Sequence, residues 1–504
     1  MRKLIFIFVL AFSLSAQTKP KPREPKLVLA IVVDQFRYDY LTRFRANYTG
    51  GLKRMMDDGA MFTNAHYEHV PTVTAIGHST VLTGATPAMS GIIGNQWWDR
   101  GTQKVVTSVS DDETKLLGGT GVGSSPRRLL QSTVGDELKM SGKGGKVIGV
   151  SIKDRSAILP VGHMADGAFW FDGKTGNFVS STYYFPDLPG WVKDFDQSRP
   201  ADKYAGKEWM GHKMPAPGVK LYDGIEATPF GNELIEQFAL RALAAEKLGA
   251  NGKIDVLVVS YSANDYVGHR VGPDSPEVRD MAIRVDKLIG DLLRAAEAQV
   301  GAGQVIAVMT ADHGVAPVPE ENEKRKMPGG RLDPEMQRDA IEKSLSAKFG
   351  GGKWVEDMSE GVFLNLQTLK SHNLETADVE RVAAEAVRAL PHVFRVYTRS
   401  QLLNGWVASD PVDIRVRNGF NAARSGNLVV IPDPYWMASK TGTTHGTPFD
   451  YDAHVPILFL GGAVRPGRYN RNVMVNDIAP TLATILDVET PSGSVGRVLD
   501  EMLK

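Results

Sequence analysis

Unbroken apolar runs punctuate the chain at Leu27 to Val33, Lys146 to Ser151, Ile254 to Tyr261, Gln304 to Thr310 and Val455 to Leu460. Continuous rather than alternating hydrophobicity predicts strands buried on both faces, as in a parallel sheet. Ala60 to Tyr67 predicts a further short strand. Between these runs the apolar residues fall at helical spacing. Residues 48–58 place Leu52, Met55 and Met56 on one side and close on Gly59. Asn232 to Lys247, residues 275–299 and a closing stretch from about Val475 carry the same period. Strands alternating with helices predict the α/β class: a largely parallel central sheet flanked by helices.

Two stretches break the pattern. Residues 160–225 are rich in Trp, Tyr, Gly and Pro without a sustained period, and residues 318–440 are mixed, with helical spacing near 334–347 and 376–389. Both are expected to be insertions that cap a site on one domain, 27–504, rather than separate domains. The charged stretch Pro319 to Lys326 is expected to be a solvated loop, and no internal repeat is present.

At 504 residues the chain is long enough for two or three lobes or for one large domain with insertions. Its 58 Lys and Arg balance 58 Asp and Glu, and no basic run argues for nucleic acid or an anionic membrane. The absence of cysteine excludes disulfides, thiolate metal sites, Cys nucleophiles and a bacterial lipid anchor. Arg2 and Lys3, the apolar run Leu4 to Leu14 and the small residues Ser15 and Ala16 have the layout of a secretory signal over 1–16, with a linker over 17–26. Leu14 stands where a small residue is expected, so the cleavage position stays open. The run is short for a membrane span and no later one follows. An exported protein, compatible with a bacterial periplasm, is expected.

The chemistry gathers where apolar runs end. Asp34 follows the first, Asp265 the third and Asp312 the fourth. The carboxyl ends of strands in open α/β sheets are where ligands bind. An aspartate there is commonly a helix cap, but here His269 lies four residues after Asp265, His313 follows Asp312, and His445 stands in a Gly/Thr-rich turn. Carboxylate and imidazole without thiolate suit catalytic Zn²⁺. Six such ligands supply two three-ligand sites, and metals roughly 3.5–4 Å apart clamp the attacking and leaving oxygens in phosphoryl transfer. The stretch His69 to Thr80 adds hydroxyls at a helix start, Thr72, Thr74, Ser79 and Thr80, which taken alone read as caps and leave a nucleophile to be decided by the rest of the chain.

Val33-Asp34, Thr74 with His78, Asn95, Asp265-x-x-x-His269, Asp312-His313-Gly314 and Thr444-His445-Gly446 occur in the order of the alkaline phosphatase superfamily. The set resembles its type I phosphodiesterase/nucleotide pyrophosphatase branch. Ser151-x-Lys153-x-Arg155-x-Ala157 is similar to the phosphate-irrepressible alkaline phosphatases of that branch. The resemblance covers about 27–486 and implies an alkaline-phosphatase-like fold. It implies two zinc ions, one held by Asp265, His269 and His445, the other by Asp34, Asp312 and His313 with the Thr74 hydroxyl. It also implies Thr74 as nucleophile, a phosphothreonine intermediate, and Asn95 with the Thr74 N–H on the phosphate oxygens.

Lys153 and Arg155 bear on the substrate class. A monoester carries one more negative charge than a diester, and Arg grips two phosphate oxygens in a planar fork. Small phosphate monoesters are therefore the expected substrates. A phosphodiesterase or nucleotide pyrophosphatase on the same metals is the alternative, and a non-catalytic binder of phosphorylated ligands is the reading from another class. A sulfatase would need Cys or Ser where this chain has Thr. His66, His69, His163, His212, His372 and His392 are expected to be structural or surface residues, His78 to stand behind the site, and His454 to be the competitor of His445. Trp97 and Trp98 fit a pocket mouth or the core equally.

Overall fold

A computed structural model describes residues 24–406 and 408–504. The expected signal segment lies outside the described residues, as does the linker up to residue 23. The main sheet has eleven strands. In chain order they are β1 (Leu27–Val33), β2 (Ala60–Phe62), β3 (Ser110–Leu117), β4 (Val122–Ser124), β5 (Gly144–Ser151), β6 (Gly167–Asp172), β7 (Asn177–Ser181), β8 (Ile254–Tyr261), β9 (Val305–Thr310), β10 (Ile457–Gly461) and β11 (Gly467–Tyr469). Their spatial order is β11-β2-β10-β9-β1-β8-β5-β6-β7-β3-β4.

The centre, β9-β1-β8-β5-β6, is parallel. β10 runs antiparallel to β9 and β2 on one side, and β6-β7-β3-β4 is antiparallel on the other. Every residue of β1 and β8 is buried, as their unbroken apolar runs require. The register aligns the central strands at their carboxyl ends: Val33 pairs with Tyr261, Val32 with Thr310, and Ser260 with Ser151. That alignment brings Asp34, Asp312, Lys153 and the start of the helix bearing Asp265 to one edge.

The helices that matter here are α1 (Gly51–Asp58), α2 (Thr74–Thr83), α3 (Asp154–Ile158), α4 (Pro229–Ala245), α5 (Ala263–Val271), α6 (Pro276–Val300), α7 (Met336–Phe349), α8 (Thr376–Arg388) and α9 (Ile478–Leu486). The helices expected at 48–58, 232–247, 275–299 and after 475 are α1, α4, α6 and α9, shifted by a few residues at their ends. α1 is capped from α6, whose Asp286 carboxylate accepts the N–H groups of Thr49, Gly50 and Lys53.

Residues 160–225 are less irregular than their sequence suggests. The buried run Gly167–Asp172 and its hairpin partner Asn177–Ser181 extend the main sheet as β6 and β7. Residues 319–324 form a short helix, with Pro319 and Asn322 buried, where a solvated loop was expected. Residues 318–440 build a lobe with its own core, in which Ile341 and Leu345 of α7 and Val379 and Val387 of α8 pack on Trp354 and Leu428. Both helices expected in this stretch are present.

The lobe also braces the approach to α2. Val70 donates its N–H to the Arg415 carbonyl, Asn418 donates to the Glu68 carbonyl, and Arg415 donates to the Pro448 carbonyl.

Candidate active site

Thr74 is the first residue of α2, after Val73 in extended conformation. The side chain is buried, and its Oγ1 lies 3.4 Å from His313 Nε2. The next N–H, of Ala75, donates to Asn95 Oδ1 at 2.9 Å, which leaves the Asn95 NH₂ as a donor at the helix N-terminus. Such a terminus attracts anions through its unsatisfied N–H groups and its dipole. α2 is pressed onto Asp312 at Gly77, where a Cβ would stand 2.2 Å from the Asp312 carbonyl oxygen. A glycine one turn into the helix thus lets Thr74 and Asp312 share one site.

The six expected metal ligands lie at this edge. Asp265, His269 and His445 present donor atoms within 4.8 Å of one another. His269 Nε2 is 3.1 Å and His445 Nε2 3.7 Å from Asp265 Oδ1. A second group of that kind comprises Asp34, Asp265 and His313, so Asp265 belongs to both. Asp312, expected in that second set, is close at hand: its Oδ2 lies 3.4 Å from His313 Nε2 and 3.2 Å from His78 Nδ1.

The histidines are oriented by backbone. Nδ1 of His269, His445 and His313 contacts the carbonyls of Thr443 (2.8 Å), Thr72 (2.8 Å) and Gly314 (3.0 Å). An imidazole donating from Nδ1 offers a free Nε2, the arrangement that metal-binding histidines use. His78 differs: Nδ1 contacts the Thr74 carbonyl and Nε2 the Ser260 hydroxyl, so it stands behind the site and holds α2. His454 lies elsewhere, stacked on Tyr38 and His66, with Nε2 at 3.2 Å from the Thr63 carbonyl. Trp97 is a fully buried core residue.

The donor set fits divalent metal. Asp34 Oδ1 and Asp312 Oδ2 are buried without a directed hydrogen bond, and both face His313 Nε2. Buried carboxylate oxygens without donors call for a cation. Burial, reinforced by Asp312, pushes the Asp34 carboxyl well above the usual carboxylate range. Burial acts the same way on Asp265, but Lys153 and His269 outweigh it and hold that group well below the range. Burial together with His313 and His269 depresses His445 and keeps its ring neutral.

Lys153 lies on carboxylates. It follows β5, and its Nζ is 2.6 Å from both Asp34 Oδ2 and Asp265 Oδ2, with the Tyr266 ring centroid at 5.2 Å. Expected to face phosphate, it commits two of its three donors to Asp34 and Asp265 and keeps one. Arg155, on α3, is partly exposed, 3.8 Å from Asp154 Oδ1, with its Nε unpartnered.

Several contacts escaped sequence reasoning. Gln35 donates its backbone N–H to Asp312 Oδ1 (3.1 Å) and its Nε2 to Asp265 Oδ1 (2.6 Å), tying two ligands together. One signal was present: Gly268, beside His269, leaves room for the Gln35 amide, which a Cβ would meet at 1.8 Å. Glu360 of the lobe packs against Gly94, next to Asn95.

The type I phosphodiesterase/nucleotide pyrophosphatase family model matches residues 28–454. A protein of Myroides odoratus named calcium-transporting ATPase is 37% identical over 536 residues, 98% of this chain and 97% of that one. Alkaline phosphatase PafA of Elizabethkingia meningoseptica is 37% identical over 541 residues, 99% of this chain and 98% of the relative. A crystal structure of wild-type PafA superimposes with a TM-score of 0.89 at 34% identity, covering 96% of this chain and all of the other.

Proposed function

The chain belongs to the type I phosphodiesterase/nucleotide pyrophosphatase family, and from that premise we propose that it is a secreted two-zinc enzyme that works through a phosphothreonine. The enzyme is an alkaline phosphatase, a phosphomonoesterase. The observation that carries the finer reading is Thr74 Oγ1 at the head of α2, 3.4 Å from His313 Nε2 and beside two converging groups of ligands.

Asp265, His269 and His445 would hold one zinc, and Asp34, Asp312 and His313 with Thr74 Oγ1 the other; bound there, the ions supply an acidified hydroxyl and charge stabilisation of the leaving oxygen. The chain's own residues do the rest. Thr74 Oγ attacks phosphorus in line, the ester oxygen leaves, and water then releases phosphate from the threonine. His78, on the Thr74 carbonyl, fixes the nucleophile's backbone. The Asn95 NH₂ and the Thr74 N–H at the head of α2 bind non-bridging oxygens. The third donor of Lys153 and the planar fork of Arg155 add positive charge where a monoester has its extra negative charge.

The ATPase half of the Myroides relative's name is also phosphoryl transfer and agrees with this reading. Among the described residues no helix is long and apolar enough to cross a membrane. Export to the periplasm is proposed from Arg2, Lys3 and the run Leu4 to Leu14.

The test compares kcat/KM for 4-nitrophenyl phosphate with that for its methyl diester, in the wild type and in Arg155→Ala. The wild type should prefer the monoester, and Arg155→Ala should reduce that preference by about tenfold or more, the worth of a charge-assisted bidentate contact. A wild-type preference for the diester would overturn the substrate assignment in favour of a diesterase, and a ratio untouched by Arg155→Ala would remove Arg155 as the source of the preference.

A further inference from the structure

We infer that Lys153 is a built-in counter-ion of the candidate metal site, a positive charge shared by both ligand groups and against which metal must bind. This rests on the two-metal reading above and goes beyond a phosphate contact.

The carboxylates divide their oxygens. Oδ2 of Asp34 and Oδ2 of Asp265 both accept from the Lys153 ammonium at 2.6 Å. Oδ1 of Asp34 faces His313 without a hydrogen bond, and Oδ1 of Asp265 faces His269 and His445. One ammonium therefore joins a ligand of each group from behind while the other oxygens stay turned to the imidazoles.

Asp34, Asp265 and Asp312 are all buried, and so is Lys153, whereas Arg155 is partly exposed and pairs only loosely, with Asp154. Buried carboxylates without a cation are strongly destabilising. Lys153 supplies that cation when metal is absent. Once metal is present, the same charge repels it. Removing the charge should therefore destabilise the metal-free protein and tighten metal binding, and both effects enlarge the stabilisation that metal confers. Loss of the lysine also removes a support for the two carboxylates. Gln35 still holds Asp265, however, and the Asp34 backbone N–H stays bonded to the Tyr261 carbonyl, so the charge effect dominates.

The test uses the full chain stripped by a chelator and titrated with zinc alone, in the wild type, Lys153→Met and Lys153→Arg. Melting temperature and zinc affinity, the latter by competition with a chromophoric chelator, are read without reference to activity. Lys153→Met should show a larger zinc-induced rise in Tm than the wild type and bind zinc about tenfold tighter or more, since one charge beside a dication is worth that much even at the screening of water. Lys153→Arg should stay near the wild type. A Lys153→Met chain that folds only with zinc is the limiting case of the expected result. An equal or smaller zinc-induced rise, weaker zinc binding, or failure to fold even with zinc would overturn the inference. So would Lys153→Arg behaving like Lys153→Met. A wild type that does not respond to zinc would instead remove the two-metal reading.

Discussion

Gly77→Ala adds one methyl group and should disable the site. Mid-helix, alanine is favoured over glycine by about 1 kcal/mol. Here the new Cβ would stand 2.2 Å from the Asp312 carbonyl oxygen and 2.6 Å from its Cα and Cβ, where ordinary contact begins at 3.4 Å. The atoms met first are the backbone and Cβ of buried Asp312, just beyond β9, so no side-chain rotation relieves the clash. α2 must retreat by about 1.2 Å from Asp312. Overpacking of this kind costs about 1–3 kcal/mol, which outweighs the gain in propensity. Catalysis should suffer more, because Thr74 lies one turn away on the same helix and a misplacement of about 1 Å costs roughly 10²-fold. The assay is kcat/KM on 4-nitrophenyl phosphate at saturating zinc, with thermal melting alongside. Gly190→Ala serves as the control, since nothing lies within 4 Å of its would-be Cβ. A Gly77→Ala enzyme within threefold of the control would refute the argument that α2 is seated on Asp312 through this glycine.

Thr74→Ala should lower monoester turnover by roughly 10³-fold or more and abolish acid-trapped phosphoprotein, while Thr74→Ser retains measurable activity; unchanged turnover in the alanine variant would remove Thr74 as nucleophile. Stability should also carry a pH signature from Glu236 of α4. Burial pushes its carboxyl up to about 8, even though the Tyr261 hydroxyl donates to it, and its Oε1 has no partner. Because the folded group keeps a proton that the unfolded group releases near its ordinary 4.5, stability should fall as pH rises from about 4.5 to 8 and then level off, at about 1.4 kcal/mol per unit. Glu236→Gln should flatten that slope and melt higher than the wild type at pH 9; parallel Tm–pH curves would refute this origin.

The candidate site was legible in the sequence because its candidate ligands sit at the ends of unbroken apolar runs. Val33-Asp34 and Met309-Thr310-Ala311-Asp312 each announce a buried strand and then a carboxylate. The Asp265-x-x-x-His269 spacing places both groups on one face of α5, one turn apart. β6 was missed because Gly167–Asp172 is short and lies among Trp, Tyr and Gly, where local composition reads as a loop. Its strand character comes from pairing with β5, which local sequence does not contain. Gln35 was missed because its role depends on a left-handed backbone, φ 59°, that turns its amide toward α5.

The sequence by itself determined the fold class, the strands that carry the aspartates and the inventory of metal-ligating and hydroxyl groups, because these follow from hydrophobic period and residue chemistry over short spans. The tertiary structure alone decided how those groups share the work. Asp265 belongs to both candidate ligand groups, Gln35 ties two of the aspartates together, and Lys153 bridges two carboxylates. The physical reason is register. Parallel pairing of β1 with β8 and β9 brings residues more than 200 positions apart to the same sheet edge. Within that edge the oxygen each carboxylate turns to a cation is set by neighbours that the linear chain does not place beside it.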